Sequence, residues 1–138
     1  CSSWFLPRIV GISQAMQWVA SGRVFPATEA LAGGLVSEVL APEALLPRAY
    51  EIAAEIASHT SALSVALSRQ MLWKMLGADH PIEAHKIDSR GIQYMGASAD
   101  AREGVESFLE KREPNFQLRV SEDLPDYYPW WKDRSFED

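Results

Sequence analysis

The chain has 138 residues, 47% of them hydrophobic, and a net charge of −6 from 13 Lys and Arg against 19 Asp and Glu. That suits one domain with a buried core and argues against a broad nucleic-acid surface. A single cysteine, Cys1, permits no internal disulfide and fits a reducing cytoplasm. No run of about 18 apolar residues and no basic-then-apolar leader is present, so neither a membrane span nor a signal peptide is expected.

With no initiator Met, the sequence reads as a piece of a longer protein. Ser2 and Ser3 read as caps for a short helix over residues 4–10, with lining of an acyl pocket as the functional alternative. No His or other base lies at a spacing that would activate either serine. Ser13 caps a helix of about two turns with Ala15, Met16, Val19 and Ala20 on one face, ended by Gly22. Thr28 or the residue before it starts a second short helix, stopped by Gly33 and Gly34. Residues 35–39 then alternate Leu and Val with Ser and Glu, the pattern of one short strand.

Residues 44–59 form an amphipathic helix with Ala49, Ile52, Ala53, Ile56 and Ala57 on one stripe. Pro42 suits its first turn, and Pro47 is either tolerated early in the helix or marks its real start. His59 falls at the C-terminus, where the dipole favours a positive charge. A helix over residues 61–77, capped by Thr60 or Ser61 and closed by Gly77, has apolar residues around most of its circumference and should be buried on more than one side. Its Met71, Trp73 and Met75 read as core or subunit contact rather than a ligand surface. Asp79 caps a helix over residues 81–96. His80, His85 and Asp88 are ligand-type residues, but their spacing joins only His85 and Asp88 on one face, so no metal site is expected.

Ser98 or Asp100 starts the last helix, whose inner face is Ala101, Gly104, Val105, Phe108 and Leu109. Gly104 there suggests close approach of a neighbouring helix. Pro114 stops it. Residues 115–138 change character: Pro and Asp argue against regular structure, while Tyr127, Tyr128, Trp130 and Trp131 supply much apolar area. An arm docked on its own body or on a neighbouring subunit is expected. The division is therefore residues 1–114, helical, and 115–138, an extended aromatic and acidic tail.

One pattern is more specific than any helix. The string Gly11-Ile12-Ser13-Gln14-Ala15 through Ser21-Gly22-Arg23, Ala27, Glu29-Ala30 and Gly34-Leu35-Val36 resembles the enoyl-CoA hydratase/isomerase (crotonase) family. Leu6-Pro7-Arg8-Ile9-Val10-Gly11 before it and Ser107-Phe108-Leu109-Glu110-Lys111-Arg112 after it extend the likeness over nearly the whole chain. The resemblance implies the C-terminal helical, oligomerisation region of a crotonase-like α/β fold, mainly α by itself. It implies an enzyme that hydrates or isomerises an enoyl-CoA, its thioester enolate stabilised by backbone N–H groups and its protons moved by acidic side chains. Those groups belong to the part of the family that precedes this pattern, so no catalytic residue is assigned here and the isolated chain should be inactive.

The same resemblance implies an acyl-CoA substrate, no separate cofactor, and a homo-oligomer, a trimer or dimer of trimers. It also assigns Phe108 and Lys111 to the adenine and phosphate end of coenzyme A, from the pattern Phe-x-x-Lys-Arg. Their spacing of three puts both on one side of the last helix; without the resemblance, Phe108 reads as core and Lys111 as solvated. The alternative for the whole chain is a non-catalytic helical assembly module.

Overall fold

In the computed structural model, which describes residues 1–137, seven helices account for the regular structure: α1 (Ser2–Val10), α2 (Ile12–Ser21), α3 (Ala27–Ala32), α4 (Pro42–His59), α5 (Ala62–Met75), α6 (Pro81–Gly96) and α7 (Ala99–Glu110). The chain divides into two compact units, Cys1–Ala49 and Tyr50–Asp138.

In the first unit α1 packs on α2. Neither helix uses its predicted cap. Ser2 lies inside α1 behind Cys1, and Ser13 lies inside α2, whose N-cap is Gly11 with no side-chain bond. Gly22 does end α2 in the left-handed conformation. The buried face of α2 is Ala15 and Trp18, whereas Met16 and Val19 are exposed. Trp18 stacks on Phe25, with centroids 4.3 Å apart and planes 11° from parallel. Its indole Nε1 donates to Glu29 on α3 at 2.7 Å, and Arg23 grips the same carboxylate with both terminal nitrogens, one at 2.9 Å.

The two glycines that close α3 have different duties. Gly34 takes φ +74°, so that Leu35 N–H reaches Ala30 O at 2.8 Å and Gly34 N–H reaches Leu31 O at 3.0 Å. This is the paired closure that satisfies the last carbonyls of a helix around one left-handed residue. Gly33 is needed for space against Trp18. Beyond them, residues 35–39 form turns and irregular chain, and no strand occurs among the described residues. A strand needs a neighbour for its N–H and C=O groups; Leu35, Val36 and Val39 are instead exposed.

In the second unit α5 packs on α6 and α6 on α7. Leu63 and Leu67 of α5 and Ile87 and Gly91 of α6 are buried. The burial of α5 is one-sided: Leu72, Trp73 and Leu76 are exposed. Ser61 caps α5 and Ser98 caps α7, each accepting from the amide three residues on, while α5 closes at Leu76 rather than Gly77. The cap of α6 is His80, not Asp79: its Nδ1 accepts from Ile82 N at 3.1 Å. An imidazole used this way is committed to the backbone. Pro47 sits inside α4, which has no buried residue. The expected inner face of α7 is largely outward: Val105, Phe108 and Leu109 are exposed, and the buried positions are the polar Asp100 and Ser107. What approaches Gly104 is the ring of Phe116, beyond the helix, and not another helix.

Candidate functional site

The C-terminal end of α7 gathers the residues that sequence singled out. Phe108, on its last turn, is 81% exposed. Lys111 follows the helix at φ 55°, the one non-glycine residue with positive φ among those described. Around it the chain makes the same closure as at Gly34, with Arg112 N–H donating to Ser107 O at 3.1 Å and Lys111 N–H to Phe108 O at 3.4 Å. Thus a lysine stands where this closure favours glycine, at a backbone cost of roughly 1 kcal/mol. Lys111 is therefore not on the helical face with Phe108. It leaves from the helix end next to it.

The reversal is held by side chains. Arg112 donates to both oxygens of Glu103, at 2.5 and 2.9 Å, to Glu110 Oε2 at 2.6 Å and to the Glu113 carbonyl at 3.2 Å. Glu103 Oε1 also accepts Asn115 N at 2.7 Å. The Arg112 hydrogen bonds first, and the Asn115 amide second, pull the Glu103 carboxyl down from the ordinary 4.5 to about 2. The hydrogen bonds to Glu103 first, and to Glu110 second, raise the Arg112 guanidinium. His59 Nε2, at the end of α4, lies 3.3 Å from Glu113 Oε2 in an exposed pair.

A second anchor lies at the start of α7. Asp100, only 2% exposed, accepts Gln117 N at 2.8 Å and Leu118 N at 3.3 Å on Oδ1. Further along, Tyr94 OH of α6 donates to Asp123 O at 3.0 Å, and the Lys74 ammonium sits 4.1 Å from the centre of the Trp131 ring. Burial, then the neighbouring Tyr94, raises the Tyr127 phenol. The segment after α7 thus contacts α5, α6 and α7 of its own unit.

Among the described residues no group of three or more His, Cys, Asp or Glu is placed to hold a metal ion, and no helix is long and apolar enough to cross a membrane. The sequence reading names Arg112 only as part of the motif and gives Glu103 no role, so their pairing was missed. They lie nine apart on opposite sides of a chain reversal, which no helical period reveals. The only available signal was a helix ending on Lys-Arg without a glycine.

A sequence model described as "Enoyl-CoA hydratase/isomerase" matches residues 1–119. The chain is similar to the enoyl-CoA hydratase ACTT3 of Alternaria alternata, 40% identical over 122 residues, covering 88% of this chain and 40% of that protein. It is similar to a crotonyl-CoA hydratase of Syntrophomonas wolfei, 38% identical over 111 residues, covering 80% of this chain and 42% of that one. Among solved structures, a probable enoyl-CoA hydratase/isomerase from Mycobacterium abscessus superposes with a TM-score of 0.81 at 28% identity, covering 86% of this chain and 46% of the other. An enoyl-CoA hydratase from Bacillus anthracis gives 0.75 at 30% identity, covering 80% and 42%. The chain thus spans about 40% of the length of the curated relatives it matches. The aromatic residues 127–131 lie beyond the residues matched to the family.

Proposed function

The chain belongs to the enoyl-CoA hydratase/isomerase family, and from that premise we propose that it is the C-terminal helical region of an enzyme that hydrates or isomerises enoyl-CoA thioesters. The whole enzyme holds the thioester carbonyl with two backbone N–H groups, so that charge developing on that oxygen as an enolate forms is met by fixed donors. Acidic side chains deliver or remove the proton at carbon and activate water. Both belong to the part of the enzyme outside these residues, and residues 1–138 supply no catalytic group. Their contribution is subunit contact, in a trimer or dimer of trimers, and one end of the coenzyme A site. Within this assignment residues 1–114 form the helical region and residues 115–138 the aromatic arm. The substrate is the CoA thioester itself, without a separate cofactor, and the setting is the cytoplasm.

The observation that carries the site assignment is Lys111. A non-glycine residue held in the left-handed region is a cost that a functional role repays, and its ammonium has no hydrogen bond or ion pair among the described residues. Beside it the exposed Phe108 presents a flat ring. A ring can stack on adenine while an ammonium pairs with phosphate, so the two suit the nucleotide end of coenzyme A. In the full-length enzyme Lys111→Ala should raise KM for the CoA thioester and leave kcat unchanged, because the nucleotide is remote from the reacting carbon. An unchanged KM would return Lys111 to the solvated surface.

A further inference from the structure

Lys111 is the residue around which the chain turns, and its own N–H closes on Phe108 O, yet its side chain makes none of the bonds that hold the turn. The side-chain bonds run between residues on either side of it. Glu103, one turn before the Ser107 carbonyl that closes the helix, receives the Arg112 guanidinium and the Asn115 amide, and the same guanidinium reaches Glu110 and the carbonyl of Glu113. Residues 110, 112, 113 and 115 are thereby tied to one another, and through Glu103 to the body of α7. Glu103 is the better shielded partner, its side chain 19% exposed against 40% for Arg112. A guanidinium is suited to this because its planar fork meets a carboxylate on two parallel bonds while Nε reaches a second one. Glu103 and Glu110 are both hydrogen-bonded to Arg112, not to the Lys111 ammonium.

We propose that Glu103 and Arg112 are positioning residues for Lys111. By tying the chain to α7 on both sides of residue 111, they hold its left-handed backbone and so fix where its ammonium leaves the helix end beside Phe108. The inference rests on the reading of Phe108 and Lys111 as the nucleotide end of the coenzyme A site. It adds that the affinity contributed by Lys111 depends on a pair that touches no substrate.

The test uses the full-length enzyme with two substrates, the CoA thioester and the pantetheine thioester of the same acyl group, which lacks the nucleotide. Four forms are compared: wild type, Lys111→Ala, Glu103→Gln and the double variant. Glu103→Gln keeps an acceptor for Asn115 N and removes the charge. It should raise KM for the CoA thioester about three- to tenfold, with kcat and the KM for the pantetheine thioester unchanged. With Lys111 already Ala, it should add nothing. Should Glu103→Gln fail to fold, Arg112→Lys, which keeps the charge and loses the fork, is read in its place with the same expectation. If Lys111→Ala itself leaves KM unmoved, the nucleotide assignment fails and the positioning role falls with it. If Lys111→Ala raises KM while Glu103→Gln does not, the assignment stands and only the positioning role is overturned. An equal rise from Glu103→Gln with and without Lys111 also overturns it, because the pair would then act by another route.

Discussion

Trp18 leaves no room for a side chain at Gly33: an ideal Cβ there would lie 2.7 Å from Cη2 and 3.0 Å from Cζ2 of the indole. The ring cannot easily give way, because it is stacked on Phe25 and its N–H is bonded to Glu29. Gly33→Ala should therefore destabilise the protein by about 1–3 kcal/mol, the usual cost of overpacking. Denaturant midpoints measure it. The penalty should shrink when Trp18→Phe has already opened the space, and an equal penalty in both backgrounds would show that Trp18 is not the obstacle.

The ion-pair network around Arg112 makes a pH prediction of definite sign. A carboxyl whose value falls from 4.5 to about 2 on folding contributes stability above 4.5 and loses it as the pH falls toward 2. Glu103→Gln cannot titrate. The stability difference between wild type and Glu103→Gln should be largest at neutral pH and narrow steadily from pH 4.5 downward. A difference that stays constant across that window would mean that the charge of Glu103 does not contribute.

Leu72 and Ile92, with Val105, Phe108 and Leu109 of α7, are large apolar side chains left exposed, and apolar surface left in water favours association. Residues 1–138 expressed alone should self-associate and show no turnover of a crotonyl thioester. Sedimentation and a hydration assay check the two halves. A monomer at high concentration, or turnover at an ordinary enzymatic rate, would contradict the role given to this region.

Much of the fold was legible because glycine and helical periodicity carry local information. Gly22, Ser61, Ser98 and the stripes around them put the main helices in place. What was not legible depends on partners. The alternation at residues 35–39 reads as a strand only if another strand pairs with it, and none does among the described residues. The apolar positions of α7 read as an inner face, yet no element of the described chain covers Val105, Phe108 or Leu109. Trp18, which organises the first unit, is one apolar residue among several until Glu29 and Phe25 are brought to it. Phe108 and Lys111 were named from a motif, but the left-handed turn that separates them was not. Lysine is no signal for such a conformation, and the residues that enforce it lie nine apart.

The replacement of Lys111 by glycine tests the central claim most directly, because stability and function should move in opposite directions. Glycine relieves the left-handed strain at φ 55° and should stabilise the closure of α7 by up to about 1 kcal/mol, seen as a higher melting temperature of the full-length enzyme. The same change removes the ammonium, so KM for the CoA thioester should rise while kcat, and KM for the pantetheine thioester, stay as they are. A Lys111→Gly enzyme with unchanged KM for the CoA thioester would contradict the assignment, whatever its stability.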